Sequence, residues 1–230
     1  MKSYKYYILI ILLFLNTCVW YVAYFALDRN LSVYFLNIGQ GDAIFIQAPN
    51  GVQVLIDGGP DSAVLRELTK IMPLYDRYID VVIMTHPDAD HVGGLNDVLK
   101  RYKVGVVFEP GVFASTTAYT SFKNKTKTRL ARRGDQIILD NEVYLNILFP
   151  DRDTDGWETN TASIVSRLIY ASSSVLLTGD APAKIEKFLV RYDDMKSDIL
   201  KLGHHGSNTS SVEEFIAEVK PEYAIVSSGK

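Results

Sequence analysis

All four histidines of this 230-residue chain fall in two short clusters, His86 with His91 and His204 with His205, and that bunching constrains the fold more than any other feature. Histidines scattered through a core or over a surface would not bunch in this way. The first cluster reads His86-x-Asp88-x-Asp90-His91 and follows Val81-Val82-Ile83-Met84, an apolar run of the kind that forms a buried strand. Four potential ligands therefore leave one strand end within six residues, and Gly93-Gly94 just beyond permits tight backbone turns. Two carboxylates and two imidazoles this close desolvate poorly unless a cation neutralises them. Thr178-Gly179-Asp180 follows a second β-type run, and Gly203-His204-His205-Gly206-Ser207 ends a third. Each alone is a common turn or a surface pair, but three strand ends carrying ligand-type side chains imply one shared rim. The only cysteine, Cys18, lies in the apolar N-terminal run, so the ligands must be histidine and carboxylate. Imidazole mixed with hard carboxylate oxygen suits Zn²⁺, Mn²⁺ or Fe²⁺.

Residues 6–27 carry no charge and are rich in Ile, Leu, Val and aromatics. As a helix they would extend about 33 Å, enough to cross a hydrocarbon core. Aromatic residues gather at both ends, Tyr4, Tyr6 and Tyr7 before and Trp20, Tyr21, Tyr24 and Phe25 after, as side chains that favour the interface do. Lys2 and Lys5 precede the run, and Asp28-Arg29 follow it with no net charge. The positive-inside bias then keeps the N-terminus cytoplasmic and places everything after Asp28 outside. The competing reading, a cleaved signal peptide, needs small residues before a cut that Ala23-Tyr24-Phe25-Ala26 does not offer cleanly. Leu15-Asn16-Thr17-Cys18 resembles a lipobox only loosely. The expected organisation is an anchor over residues 1–30, bringing a membrane as partner, and one domain over 31–230.

Beyond residue 31 the pattern turns to short β-type runs at 32–38, 42–48 and 53–56, the last two joined by the hairpin dipeptide Asn50-Gly51. Helical spacing predicts a helix over 61–72, with Asp61 or Ser62 as N-cap. Further helices are expected at 95–102, 182–191 and 211–219, and further strands at 81–84, 104–108, 142–149, 163–170, 174–177, 199–202 and 223–226. Early strands followed by alternating helices and strands predict an α/β sandwich, two packed sheets with helices outside.

The ordered series Phe35-Leu36-Asn37-Ile38-Gly39-Gln40-Gly41-Asp42-Ala43, Leu55-Ile56-Asp57-Gly58-Gly59, Thr85-His86-Pro87-Asp88-Ala89-Asp90-His91-Val92-Gly93-Gly94-Leu95, Asn160-Thr161-Ala162-Ser163, Leu177-Thr178-Gly179-Asp180 and Leu202-Gly203-His204-His205-Gly206-Ser207 resembles the metallo-β-lactamase-like domain of ComEC-type DNA-uptake proteins. The resemblance covers residues 31–230. It implies an α/β (α+β) fold, the αββα four-layer sandwich, with one or two divalent metal ions, Zn or Mn, in a cleft at the sheet edge. By match to the motif, His86 and Asp88 would serve one metal and Asp90 and His91 a second, with Asp180 bridging them or binding one of them. One of the pair His204 and His205 would complete the set, His204 as ligand and His205 with Asp90 in catalysis being one assignment. Asp57 and Asn160 would orient the ligands, and water activated by the metal would attack a scissile ester.

Asp88 stands where many relatives of the wider superfamily have histidine, and no Gly-His-x-x-Gly-His segment lies between Asp90 and Asp180. Both features leave one site poorer in nitrogen, which favours Mn²⁺ or a single ion. The chain stops at Ser227-Ser228-Gly229-Lys230, where such domains usually continue into a Gly-His-Pro segment, so the domain is expected to be incomplete at its C-terminus. ComEC proteins also carry a multi-helix channel, whereas one span is expected here.

A net charge of −3 gives no global pull toward nucleic acid, so phosphate binding must rest on a local patch. Residues 123–133 hold six cations, and Lys125, Arg129 and Arg132 would hold a phosphate backbone if the run faces the cleft. A solvated loop, or a patch drawn to anionic lipid, reads equally well. Three functions stay open: an extracytoplasmic nuclease or phosphodiesterase related to DNA uptake, a hydrolase of a small ester, lactone or amide, and a catalytically weak binding module.

Overall fold

Short β-runs resolve into two mixed six-stranded sheets in the computed structural model, which describes residues 3–26 and 30–229. The first sheet runs in chain order: β1 (Ser32–Phe35), β2 (Ile44–Gln47), β3 (Gln53–Ile56), β4 (Tyr78–Ile83), β5 (Lys103–Glu109) and β6 (Arg129–Leu130). The second comprises β7 (Gln136–Asp140), β8 (Val143–Phe149), β9 (Val165–Tyr170), β10 (Ser173–Leu177), β11 (Ile199–Lys201) and β12 (Tyr223–Ile225), also side by side in chain order. Strand periodicity sorts the side chains. Ile44, Ile46, Val81 and Ile83 point between the sheets, where they meet Leu145, Ile147, Leu168 and Leu177. Phe45, Leu55, Val82 and Val107 point the other way. They are covered by α2 (Ala63–Ile71), α4 (Leu95–Arg101) and α5 (Thr117–Lys125), through Leu68, Val98 and Phe122. On the far side α6 (Ala183–Tyr192) and α7 (Glu213–Val219) cover Leu148, Val165 and Leu200 with Leu189 and Phe215. The result is the expected four-layer αββα sandwich.

The first three strands are antiparallel neighbours, with Asn50-Gly51 forming the hairpin between β2 and β3. Strands β3, β4 and β5 pair in parallel, as do β10, β11 and β12. Parallel pairing sets strand C-termini side by side, so the segments leaving β3, β4, β10 and β11 share one edge. There the two sheets are tied together, because Ile164 N donates to Thr85 O at 2.9 Å.

Four elements went unforeseen: β6, β7, α5 and α3 (Ala89–Val92), a single turn following Asp88. Helix α5 buries only Tyr119 and Phe122, so its apolar stripe is too thin to stand out from its lysines. At α2, Ser62 takes the N-cap position without a side-chain bond, and Asp61 instead accepts from Ala63 N at 2.7 Å.

Helix α1 (Ser3–Ala26) precedes the sandwich. Its segment Tyr4–Ala23 is long and apolar enough to cross a membrane, with a mean hydropathy of 2.0 and none of it buried. Lys2, Leu27, Asp28 and Arg29, which enter the expected topology, and Lys230 lie outside the described residues.

Candidate metal centre

The shared edge gathers side chains from both sheets. After β3, Asp57 adopts a left-handed φ of 58° and turns its carboxylate into the interior. Its Oδ1 accepts from Thr85 N at 2.8 Å, and its Oδ2 accepts from Thr85 Oγ1 at 2.6 Å and from His91 Nδ1 at 2.8 Å. Thr85 Oγ1 has given its proton to Asp57, so at 3.0 Å it can only accept from His86 Nδ1. Across the edge, His205 Nδ1 lies 3.0 Å from the carbonyl of Ser227, which also can only accept. All three imidazoles thereby carry a proton on Nδ1, and each turns its Nε2 inward.

Those three nitrogens converge on one carboxylate. Asp180 Oδ2 stands 3.9 Å from His86 Nε2, 3.4 Å from His91 Nε2 and 3.4 Å from His205 Nε2. Asp88 Oδ2 lies 3.7 Å from His86 Nε2, and Asp90 Oδ2 lies 3.3 Å from His205 Nε2. Asp88 and Asp90 are 37% and 34% exposed and so form the open mouth, while the histidines close the floor. Buried Nε2 of His86, His91 and His205, with Oδ1 of Asp180 and of Asp42, have no hydrogen-bond partner among the described residues. One ligand atom from each of Asp42, His91, Asp180 and His205 falls within 4.8 Å of the others. Inward lone pairs facing carboxylates, all desolvated, are unfavourable for a metal-free site and suited to a divalent cation, so the residues fit the metal that the motif implies.

Protonation shows the same strain. Burial pushes His86 well below the ordinary imidazole value, and neighbouring His91 adds to this. Burial opposes charge on His205 too, but Asp42, Asp90 and Asp180 outweigh it and raise the pKa to about 9. His91 is likewise buried, yet Asp57 and Asp180 hold it well above the usual range. His205, its Nε2 3.3 Å from Asp90 Oδ2, keeps Asp90 below the ordinary carboxylate value. Without a cation the cluster therefore neutralises its acids with protons on imidazole; binding a cation expels them.

Of the residues picked out in the sequence, the structure brings His86, Asp88, Asp90, His91, Asp180 and His205 together, with Asp57 behind them. His204 is not among them. The pair sits in a turn with left-handed φ values of 47° and 54°, which splays the rings, and His204 Nδ1 turns to Thr209 Oγ1 at 2.8 Å. Asn160 Oδ1 is buried without a hydrogen-bond partner among the described residues, and it is the neighbouring Thr159 side chain that acts on Asp88. The basic run is the end of α5 and strand β6 rather than an open loop, and most of its charge is engaged. Lys123 pairs with Glu109, and Lys125 Nζ donates to Asn96 Oδ1 at 2.6 Å and Ser121 Oγ at 2.7 Å. Arg132 binds the carbonyls of Pro110 and Ala131 at 2.6 and 2.9 Å, and Arg133 grips Asp193. Arg129 is exposed on β6.

Sequence reasoning missed Asp42 and Lys201. Asp42 lies 2% exposed between the metal cluster and Lys201, whose ammonium pairs with its Oδ2 while Oδ1 stands 3.6 Å from His205 Nδ1. Lys201 is fully buried in β11, a lysine within the apolar run Ile199-Leu200-Lys201-Leu202, and that placement was the available signal. Burial opposes ionisation of Asp42, but Lys201 prevails and lowers its pKa to about 2. The loop carrying Asp42 lies so close to α3 that a Cβ on Gly41 would fall 2.0 Å from Asp90 O.

With this fold and site in view, the chain belongs to the metallo-beta-lactamase superfamily, whose profile matches residues 36–230. It is 30% identical to ComE operon protein 3 of Bacillus subtilis, covering 90% of this chain and 29% of that protein. It is 34% identical to Recombination protein 2 of Haemophilus influenzae, over 85% of this chain and 24% of the relative. Identity to competence protein ComA of Neisseria gonorrhoeae is 31%, over 88% and 28%. The chain thus spans less than a third of these relatives. Among solved structures, a metallo-beta-lactamase of Cronobacter sakazakii superposes with a TM-score of 0.52 at 14% identity, over 73% of each chain. CmlA, a diiron beta-hydroxylase of Streptomyces venezuelae, gives 0.53 at 12%, over 86% of this chain and 44% of that one. Likeness at this identity speaks to the fold alone.

Proposed function

We propose that this chain is a membrane-anchored, metal-dependent hydrolase that cuts phosphodiester bonds in nucleic acid outside the cytoplasm. Residues 1–30 serve as anchor and 31–230 as catalytic domain. The observation that carries the reading is the convergence of three inward Nε2 atoms on Asp180 Oδ2 at 3.4–3.9 Å, in a chain similar to proteins named for competence and recombination. Exposed, apolar α1 supports the anchor, and Lys5 at its start supports a cytoplasmic N-terminus.

His86, Asp88, Asp90, His91, Asp180 and His205, with Asp42 at their edge, would hold one or two ions, Zn or Mn. Bound there, a divalent cation would supply Lewis-acid chemistry, polarising a scissile ester and activating water. The chain's own residues do the rest. Asp57 and Thr85 lock the His86 and His91 tautomers, and the Ser227 carbonyl does so for His205. Asp90, ionised at the open mouth, is placed to take a proton at Oδ2.

Metal analysis of the purified chain, joined to a screen on single-stranded DNA, a chromogenic phosphodiester and lactones, tests the reading. Metal-dependent cutting of DNA is expected. Hydrolysis of a lactone or ester with no cutting of DNA would replace it with a small-molecule hydrolase, and metal binding without turnover would leave a binding module. A reporter fused after Lys230 is expected to be active only outside the cytoplasm; activity confined to the cytosol refutes the orientation.

A further inference from the structure

A groove of about 290 Å³ is walled by Phe149, Trp157, Thr161, Lys184, Ile185 and Phe188, on segments that adjoin metal-centre residues in the chain. Both of its walls grow out of the centre. Helix α6, which carries Lys184, Ile185 and Phe188, starts directly after the segment 180–182 that begins with Asp180. The opposite wall, residues 151–162, ends in the turn Asn160–Ala162, at whose N-cap Thr159 bonds Asp88. Chain connectivity thus links one wall of the groove to Asp180 and the other to Asp88.

Packing explains part of the surface but not all of it. Phe149 and Ile185 are buried core residues, and Phe149 meets Phe188 edge-on at 5.8 Å. Trp157 is different. Its ring sits tilted at 6.0 Å from Phe149, partly exposed, and its indole N–H has no hydrogen-bond partner among the described residues. Buried tryptophans normally satisfy that donor, whereas partly exposed ones offer a flat face to a ligand. The charges over the groove are unequal in commitment. Arg152 is held by Asp151 at 3.0 and 2.6 Å, and Glu158 is turned onto Asn160 N and Thr161 N at 3.1 and 2.8 Å. Lys184 is exposed and makes no hydrogen bond among the described residues, though its charge is felt by Glu158. The volume is at the low end of the ~300–1,000 Å³ typical of small-molecule sites, room for one planar ring and its sugar.

An aromatic face, one exposed ammonium free of hydrogen bonds and a hydrolytic centre linked to both walls match the three parts of a nucleotide in a strand. We propose that the groove is a stacking subsite: the base adjoining the scissile phosphodiester lies on Trp157, and its phosphate is met by Lys184. The inference rests on the nucleic-acid reading above, and moves strand capture from residues 123–133, whose cations are mostly spent on the protein, to the α6 side of the centre. Stacking on an aromatic face tolerates any base, so the subsite sets strand position without setting sequence.

The test uses the metal-loaded full chain in detergent with Trp20→Phe, which leaves Trp157 as the sole tryptophan of the two in the sequence. The chain is titrated with a short phosphorothioate-linked single strand that resists cutting, and with an abasic strand of equal length. Trp157 emission is expected to be quenched by the base-bearing strand and unmoved by the abasic one. In the original background, Trp157→Ala should weaken strand binding about tenfold or more, while Trp157→Phe stays within about threefold. Lys184→Gln should lower the salt slope of binding by about 0.7 to 1. Equal quenching by both strands, or equal loss in Trp157→Phe and Trp157→Ala at unchanged metal content, would overturn the subsite while leaving the nuclease reading intact. Failure of both strands to bind wild-type chain that hydrolyses a lactone would overturn the nuclease reading, and the subsite with it.

Discussion

Replacing Lys201 by Met removes the buried ammonium that pairs with Asp42 Oδ2. Lys201 is 0% and Asp42 2% exposed, so solvent cannot take over when the ammonium is lost. Methionine nearly preserves the volume, which keeps the packing cost small. Stranding one partner of a buried pair costs about 3–5 kcal/mol, a third or more of the ~5–15 kcal/mol that holds a typical domain together. The loss should depend on metal, because a cation bound beside Asp42 Oδ1 offers the carboxylate a second partner and stabilises only the folded chain. Denaturant unfolding of the detergent-solubilised chain, with chelator and with excess Zn²⁺ or Mn²⁺, measures this. The expected result is a deficit of about 3 kcal/mol or more under chelation, smaller with metal, and largely relieved by adding Asp42→Asn. A loss under about 1 kcal/mol, the size of a surface pair, or an equal loss with and without metal, would refute the reasoning. In the wild type the pH range follows from the lowered pKa of Asp42: its contribution is complete above the ordinary 3.8 and disappears as pH falls through about 2.

The neighbouring histidines should separate cleanly: His205→Ala loses most bound metal while His204→Ala keeps it, as measured by elemental analysis, and the reverse pattern would unseat the assignment. Asp90→Asn should strip most of the metal by the same measurement, since it removes one of the charges the cation balances. Because His91 and His205 are protonated at neutral pH before metal binds, roughly two protons should be released per loading event near pH 7. Calorimetry in buffers of different ionisation enthalpy reads this, and affinity should climb with pH and level off above about 9; a flat profile would count against the cluster. The same raised pKa stabilises the metal-free chain below 6.5 and is lost as pH rises through about 9, so chelated protein should melt earlier on the alkaline side. Neutralising Lys125 and Arg132 should lower the melting temperature by a few degrees, because their bonds to Asn96 and Pro110 hold α5 and β6 in place; undiminished stability would return the run to the solvent.

Sequence periodicity located the strands well wherever burial imposed it. Residues 53–56 and the hairpin at Asn50-Gly51 appear as expected, and the runs ending at Met84 and Leu177 deliver His86 and Asp180 to one edge. Such signals are local, carried by alternation and by turn residues. Asp42 and Lys201 escaped because their partnership spans 159 positions and each sits beside a stronger motif. Choosing between His204 and His205 required backbone angles, since two adjacent identical residues differ only in the turn that aims them. The cationic run misled because a list of charges does not show that Glu109, Asn96 and Asp193 already answer them.

The centre takes its side chains from both halves of the chain. Asp42, Asp57, His86, Asp88, Asp90 and His91 follow or precede strands of the first sheet, and Asp180, Lys201 and His205 belong to the second. A cut in the segment 131–135, between β6 and β7, would divide the ligands into two sets, neither complete. Such fragments would have a sheet apiece and an apolar face to share, and correct reassembly would restore the links of Ile164 to Thr85 and of Lys201 to Asp42 together with the full set of ligands. A divalent cation bound there would thus act as a checkpoint on assembly, because a cleft that has closed out of register cannot gather the ligands.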